Sequence, residues 1–182
     1  MEFTHFDDNK NAVMVDVSEK DITNRVAIAT GRITLCDEAM EAVMGRKIKK
    51  GDVLTVAQVA GIMGQKRTSE LIPMCHNINL TSSKITFEIE GNDIVVFSKA
   101  KTTGQTGVEM EALMGVNIAL LTVYDMCKAI DKRMKISDIH LLEKTGESAG
   151  LEELEKKIST ADEKIGLSEE EKNAAQNYAI DA

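Results

Sequence analysis

The chain has 182 residues, enough for one domain to bury a core without disulfides, and a formal net charge of −8. Residues 151–182 hold nine acidic and four basic residues (net −5), so residues 1–150 are close to neutral; with no basic block or aromatic run, composition excludes a nucleic-acid partner. The three cysteines lack CxxC spacing and the N-terminus lacks a signal-peptide pattern, which predicts a cytoplasmic protein. No apolar stretch reaches the length of a membrane span, which predicts that the chain has no membrane segment.

Apolar periodicity predicts the elements of one compact fold. Alternating, β-branched segments indicate strands, and apolar residues three and four apart indicate helices. In chain order these are a strand at 25–35, helices at 37–44 and 51–71, a hairpin of 85–89 and 94–102 around the turn residues 91–93, a long helix in 104–134, and a strand at 136–142. This order favours an α+β, ferredoxin-like sandwich, with long helices on one face of an antiparallel sheet.

The chain divides near residue 150. Residues 1–150 form the predicted domain, and the glycine-containing stretch 146–150 ends it. Residues 151–182 are predicted to be an acidic, helical C-terminal extension, with weakly amphipathic pieces at 151–158 and 168–178 and a capping-box pattern of Ser168 with Glu171.

The long helix carries charges where packing does not need them. Its middle is apolar nearly all round, which predicts burial, whereas Glu111 lies near its start and Asp125 and Lys128 near its end. Asp125 and Lys128 are spaced to form an i,i+3 ion pair. Glu111 and Asp125 are about 21 Å apart along the axis, so one ligand does not readily reach both. Either there are two sites, or a second copy of the chain brings its helix end to this helix start.

Two segments before the hairpin add candidate chemistry. Residues 45–52 contain Lys50 among four basic residues before a helix start, which suits phosphate, although a solvated basic loop is the alternative favoured by spacing alone. Residues 64–76 end in Cys75 and His76. His76 is a candidate acid, base or phosphate donor, and a structural histidine is the equal alternative; a Cys75–His76 metal pair is disfavoured because no further ligands stand at the required spacing.

The start of the long helix also has two readings. A carboxylate near a helix N-terminus is favourable for the helix itself, which explains one of Glu109 and Glu111 but not both. Spacing alone therefore predicts a soluble α+β domain with a cationic, carboxylate-containing site, shared between subunits.

Five segments taken together resemble one known family. They are MVDVSEK (14–20), KGDVL (50–54), AGIMGQKRTSELIPMCH (60–76), TGVEMEALMGVNIALLTVYDMCKAIDK (106–132) and LLEKTG (141–146). In order and without large gaps, they resemble the molybdenum-cofactor biosynthesis protein C family, the cyclic pyranopterin monophosphate synthases, over roughly residues 12–150.

The resemblance implies a reaction and an assembly. The substrate would be (8S)-3′,8-cyclo-7,8-dihydroguanosine 5′-triphosphate, made by a preceding radical GTP cyclase, and the products cyclic pyranopterin monophosphate and pyrophosphate. No metal or cofactor is implied. The family is homohexameric, a trimer of dimers with active sites at the dimer interface.

The resemblance also assigns residues. It implies catalytic roles for Asp125, Lys128 and Lys50, with His76 as a further acid or base. The implied substrate-binding residues are Met74, Cys75 and His76 in one segment, Met110 and Glu111 in another, and Glu109, Arg25, Lys66 and Lys144 in support.

The chain departs from the family pattern at two places. Asn77-Ile78-Asn79 stands where Pro-Leu is usual, and Glu147 stands where a flexible cation is usual, which weakens the case for a phosphate contact from that loop. Two rival functions are a non-catalytic oligomeric nucleotide-binding protein and a nucleotide pyrophosphohydrolase. The first has no need of Asp125 beside Lys128, and the second normally needs clustered carboxylates for magnesium.

Overall fold

A computed structural model describes residues 11–145, and the predicted tail helices at 151–158 and 168–178 lie outside this range. Its elements are β1 (Thr23–Thr34), α1 (Asp37–Met44), α2 (Val53–Lys66), α3 (Thr68–Leu71), β2 (Ser82–Glu90), β3 (Asp93–Gly104), α4 (Glu109–Cys127) and β4 (Lys135–Thr145). The strands form one sheet in the order β2-β3-β1-β4, and every neighbouring pair is antiparallel. Because β3 lies between β1 and β2, this is the split β-α-β arrangement of the ferredoxin-like fold, as predicted.

The two long helices pack side by side on one face of the sheet, also as predicted. They approach closely because glycines face the contact: a Cβ on Gly64 would lie 2.7 Å from Cγ1 of Ile118, and one on Gly61 would lie 3.0 Å from the carbonyl oxygen of Gly115. Beneath them the strands present alternate apolar side chains, including the fully buried Ile85 and Phe87 of β2. The core therefore lies between the helix pair and one sheet face.

The prediction of one helix within 104–134 was too long at both ends. Gly104 pairs with Thr23 in the sheet, so it ends β3. At the other end, the helix stops at Cys127 and the Asp131 carboxylate accepts hydrogen bonds from the backbone N–H groups of Cys36 and Arg133. These bonds join the loop after α4 to the loop after β1, and a longer helix would break them.

The predicted helix at 51–71 is two helices. Asp52 is the N-cap of α2, because its carboxylate accepts the N–H of Thr55, and the helix therefore starts at Val53. At the far end, the Arg67 N–H donates to the carbonyls of Met63 and Gly64, and the Thr68 hydroxyl lies within hydrogen-bonding distance of the carbonyls of Gly64 and Gln65. The chain then makes the single turn of α3 in a new direction.

The prediction that α4 is buried nearly all round was correct for only half of it. Its sheet-facing side, including Val116 and Leu120, is fully buried, whereas Leu121 is 55% exposed and Met110 is 39% exposed. By length and composition alone α4 could cross a membrane, but its packing against the sheet and α2 is that of a core helix.

The register places the site-bearing loops at opposite ends of the sheet. The pairing of Thr23 with Gly104 puts the start of β1 beside the end of β3, where α4 begins. The pairing of Thr34 with Asp93 puts the other end of β1 beside the hairpin turn. Since α4 runs the length of the sheet, its first residues lie at the first end and Asp125 lies at the second.

Candidate active site

A cavity of about 510 Å³ opens beside the first turn of α4. Three segments line it: 15–20 before β1, 72–78 after α3, and 106–111 at the start of α4. Its volume is in the range of small-molecule sites. The lining residues are Val15, Val17, Lys20, Ile72, Met74, Cys75, His76, Ile78, Thr106, Gly107, Glu109, Met110 and Glu111.

Glu111 is the buried acid of this cavity. Its side chain points from α4 toward the protein interior, and the residue is only 3% exposed. The pKa of Glu111 is raised to about 6: burial is the largest cause, a backbone hydrogen bond opposes it, and the charge of Glu109 adds to it. A carboxyl group with this pKa can hold or release a proton near neutral pH.

Glu109 lies over the backbone just before the helix. Its carboxylate folds back onto Gly107, where any Cβ would overlap the carboxylate oxygens. A side chain at 107 would therefore displace the Glu109 carboxylate from this position. The two glutamates thus differ in environment, since Glu109 is half-buried and Glu111 is buried.

His76 is held by the backbone of residue 15. Its Nε2 lies 2.8 Å from the carbonyl oxygen of Val15. Because a carbonyl only accepts, Nε2 carries the hydrogen and donates it. Next to it, burial and then the charge of Glu111 raise the pKa of the Cys75 thiol, which therefore remains protonated and is a poor nucleophile at neutral pH.

At the opposite end of the sheet, Asp125 lies between two lysines. Lys50 Nζ donates to Asp125 Oδ2 at 2.9 Å and to the Asp125 carbonyl at 2.8 Å, and Lys128 Nζ donates to Oδ1 at 2.6 Å. The i,i+3 pair is confirmed. Lys50 comes from the loop before α2, so the fold adds a cation from 75 residues away. We call Lys50, Asp125 and Lys128 the lysine cluster.

The charges of the lysine cluster are set by these bonds. The hydrogen bond from Lys128, and then that from Lys50, lowers the pKa of Asp125 to about 2. The Asp125 carboxylate in turn raises the pKa of Lys128. Asp125 and Lys128 are therefore both charged at neutral pH, and the cluster lies on an exposed surface. Asp125 is therefore a counter-ion that positions the ammonium groups, and it is a weak base.

Of the twelve predicted site residues, six line the cavity, three form the lysine cluster and three belong to neither. The six in the cavity are Met74, Cys75, His76, Glu109, Met110 and Glu111. Arg25 and Lys66 lie near the same end of the sheet but do not line the cavity; Arg25 Nε is buried and has no hydrogen-bond partner within the described residues. The backbone of Lys144 pairs with Ala27 in β4, and its side chain lies outside the described residues.

The predicted catalytic residues are all in the lysine cluster, away from the cavity. Glu111 and Asp125 are 14 residues apart on the single helix α4, or about 21 Å along its axis. Within one chain the two groups therefore do not share a small ligand. Among residues 11–145, no group of three or more histidine, cysteine or acidic side chains is arranged to hold a metal ion.

Seven cavity-lining positions were not predicted from the sequence. They are Val15, Val17 and Lys20 before β1, Ile72 and Ile78 after α3, and Thr106 and Gly107 before α4. For the three positions before β1, the available signal was the segment 14–20, which carries part of the family resemblance. Its contact with the cavity depends on the pairing of β1 in the middle of the sheet, which no local pattern reveals.

Comparison with known proteins identifies the family of this chain. Residues 14–147 match the family model described as the MoaC family. The cyclic pyranopterin monophosphate synthase of Clostridium perfringens (strain SM101 / Type A) is 58% identical over 149 residues, covering 81% of this chain and 94% of that protein. Proteins of the same name from Desulfitobacterium hafniense and Listeria monocytogenes serotype 4a are 56% and 54% identical, each covering 82% of this chain and 93% or 94% of the relative. The chain therefore belongs to the MoaC family.

Proposed function

We propose that this protein is a cyclic pyranopterin monophosphate synthase of molybdenum cofactor biosynthesis. Its substrate is the cyclised dihydro-GTP released by a preceding radical GTP cyclase, and its products are cyclic pyranopterin monophosphate and pyrophosphate. The family match and the names of relatives at 54–58% identity support the reaction. The separation of the cavity from the lysine cluster, at opposite ends of α4, supports a site completed by a second subunit.

The cavity suits the purine-derived ring system. Met74 and Met110 supply polarizable apolar surface, while Glu111 and His76 supply hydrogen-bonding groups aimed at a ring edge. Ring opening and rebuilding move protons between nitrogen, carbon and oxygen. Glu111, with its pKa near 6, is able to exchange protons at neutral pH, so we include it with His76 among the acid–base groups.

The lysine cluster suits the triphosphate. In the phosphate-closing step, a sugar-derived hydroxyl oxygen forms a bond to the α-phosphorus and gives up its proton to solvent or to the departing pyrophosphate. The bond from that phosphorus to the bridging oxygen breaks, and pyrophosphate leaves. Negative charge builds on the leaving pyrophosphate, where two ammonium groups stabilise it. Lys128, whose pKa is raised, remains an ammonium throughout, and Asp125 holds both lysines in place.

A homohexamer made of dimers would bring the two parts together. In a two-fold dimer each helix start faces the partner's helix end, which makes two equivalent sites from four half-sites. The exposed apolar residues of α4, such as Leu121, provide surface that such an assembly would cover.

Subunit mixing tests the shared site directly. One variant, His76→Ala, damages the cavity, and another, Lys128→Ala, damages the lysine cluster. If sites are shared, a mixed dimer has one intact and one doubly damaged site. Half of randomly formed pairs are mixed, so we expect about a quarter of wild-type activity from two inactive preparations. Native mass spectrometry confirms that mixed oligomers have formed. Mixed oligomers with no recovered activity would refute the shared site.

The reaction is tested with the purified chain and the cyclised dihydro-GTP. We expect cyclic pyranopterin monophosphate and pyrophosphate in equal amounts, and a large loss in Asp125→Asn and Lys128→Ala. Binding without pyrophosphate release would favour the non-catalytic nucleotide-binding alternative. Near-normal turnover in both variants would show that the lysine cluster is not catalytic.

A further inference from the structure

Residues 15–20, which we call the strap, form one wall of the cavity. Val15, Val17 and Lys20 contribute side chains to the lining. The strap is braced internally: Asp16 Oδ1 accepts the backbone N–H and the hydroxyl of Ser18, and the Lys20 N–H donates to the Val17 carbonyl. These bonds all lie within the strap, so its turn is shaped by its own residues.

Gln105 ties the strap to the sheet. Its Nε2 donates to the carbonyl oxygens of Ser18 at 3.0 Å and Lys20 at 3.1 Å. Both donor hydrogens of the amide are used, and both acceptors are backbone atoms. Gln105 itself follows β3 directly, so its position is fixed by the rigid end of the sheet.

The strap in turn holds His76. The Val15 carbonyl accepts from His76 Nε2, and the described residues form no hydrogen bond with Nδ1. Of the two neutral tautomers, this bond selects the one with hydrogen on Nε2, in which Nδ1 is an acceptor for a ligand in the cavity. If the strap moved away, the ring would lose the bond that selects this tautomer.

We propose that Gln105 is a positioning residue: by tethering Ser18 and Lys20, it closes the strap over the cavity and keeps the Val15 carbonyl on His76. This inference rests on the proposed function for its kinetic test and on the structure alone for its spectroscopic test. Gln105 acts through the strap and not on the substrate. Its loss lowers the fraction of protein with a closed, tautomer-selected cavity, and apparent affinity falls by that fraction.

Two substitutions at position 105 separate the effect of hydrogen-bond donation from the effect of side-chain size. Gln105→Glu keeps the size but places carboxylate oxygens against two carbonyl oxygens, whereas Gln105→Lys retains a donor that reaches the same carbonyls. We expect KM for the cyclised dihydro-GTP to rise about tenfold in Gln105→Glu with kcat changed less than about twofold, and near-normal KM in Gln105→Lys. The control is Thr103→Val, which removes a hydrogen bond to Asn24 near the same strand end without touching the strap.

The spectroscopic test needs no activity. The chain has three histidines, so ¹⁵N-histidine labelling gives few signals, and His76→Gln identifies that of His76. Solid-state ¹⁵N spectra should show the Nε2–H tautomer of His76 in wild type and Gln105→Lys, and mixed tautomers in Gln105→Glu. An unchanged tautomer and unchanged KM in Gln105→Glu, or equal losses in both variants, would overturn the inference. Absence of wild-type turnover would refute the proposed function, and the spectra would still decide the role of Gln105.

Discussion

Replacing Glu111 with glutamine should stabilise the protein relative to wild type. This advantage should be larger at neutral pH than at acidic pH. Glutamine keeps the size of the side chain but carries no charge to desolvate. Burial raises the pKa of Glu111 from 4.5 to about 6. Each unit of pKa difference between folded and unfolded states corresponds to about 1.36 kcal/mol, so the ionised side chain costs about 2 kcal/mol of stability.

The sign follows from the direction of the shift. Because the folded-state pKa is raised, the folded protein binds this proton more tightly than the unfolded chain. The stability it contributes is fully present below pH 4.5 and is lost as the pH rises through about 6. The advantage of Glu111→Gln over wild type should therefore grow by about 2 kcal/mol between pH 4.5 and pH 7.

Urea unfolding at fixed subunit concentration measures this difference, since the concentration also affects an oligomer's stability. Glu41→Gln, an exposed glutamate on α1, is the matched control and should give the same pH dependence as wild type. Glu109→Gln should reduce the effect only partly, because burial is the larger cause of the shift. A Glu111→Gln difference that stays constant with pH would refute the view that Glu111 is a desolvated carboxyl.

Three further predictions concern packing and polar groups. Gly64→Ala should lower the free energy of unfolding by about 1–3 kcal/mol, because its Cβ would lie 2.7 Å from Ile118. The control is Gly104→Ala, whose Cβ would have no atom nearer than 3.9 Å. Equal effects of the two substitutions in urea unfolding would contradict this explanation. Thr86→Val should raise stability by about 1 kcal/mol, because the Thr86 hydroxyl is buried without a hydrogen-bond partner in the described residues; destabilisation would reveal a partner. Asp131→Asn should lower the melting temperature at pH 7, because the NH2 of the new amide would face a backbone N–H. Those N–H groups lower the pKa of Asp131, so the difference in melting temperature from wild type should become smaller below pH 3.8. A difference that does not change with pH would contradict this.

The elements of the fold were predictable where local patterns determine them. Alternation identified the strands, and the hairpin turn was found because Gly91 takes a positive φ of 61° that favours glycine. The ends of helices were predicted less well. Gly104 belongs to a strand because of its partner Thr23, and α2 ends at the C-cap Arg67, whose N–H bonds the carbonyls of Met63 and Gly64. Neither interaction is visible in hydrophobic periodicity.

The candidate site was predicted unevenly for the same reason. The pairing of Asp125 with Lys128 follows from helical spacing and was correct. The approach of Lys50, and the resulting low pKa of Asp125, depends on a contact across the fold. The burial of Glu111 likewise depends on which side of α4 meets the protein interior. The strap was overlooked because its side chains reach the cavity only once β1 is placed in the sheet.

The length of α4 sets a constraint on how this protein can vary. If the two half-sites must meet across a subunit boundary, the stretch from Glu111 to Asp125 sets the distance between the cavity and the lysine cluster in every subunit. Inserting one residue there would turn Asp125 by about 100° and advance it by about 1.5 Å, away from Lys50. Even an insertion of four residues, which nearly restores the rotation, would increase the distance between Glu111 and Asp125 by about 6 Å. Insertions and deletions should therefore be tolerated in the surrounding loops and rejected within this helix.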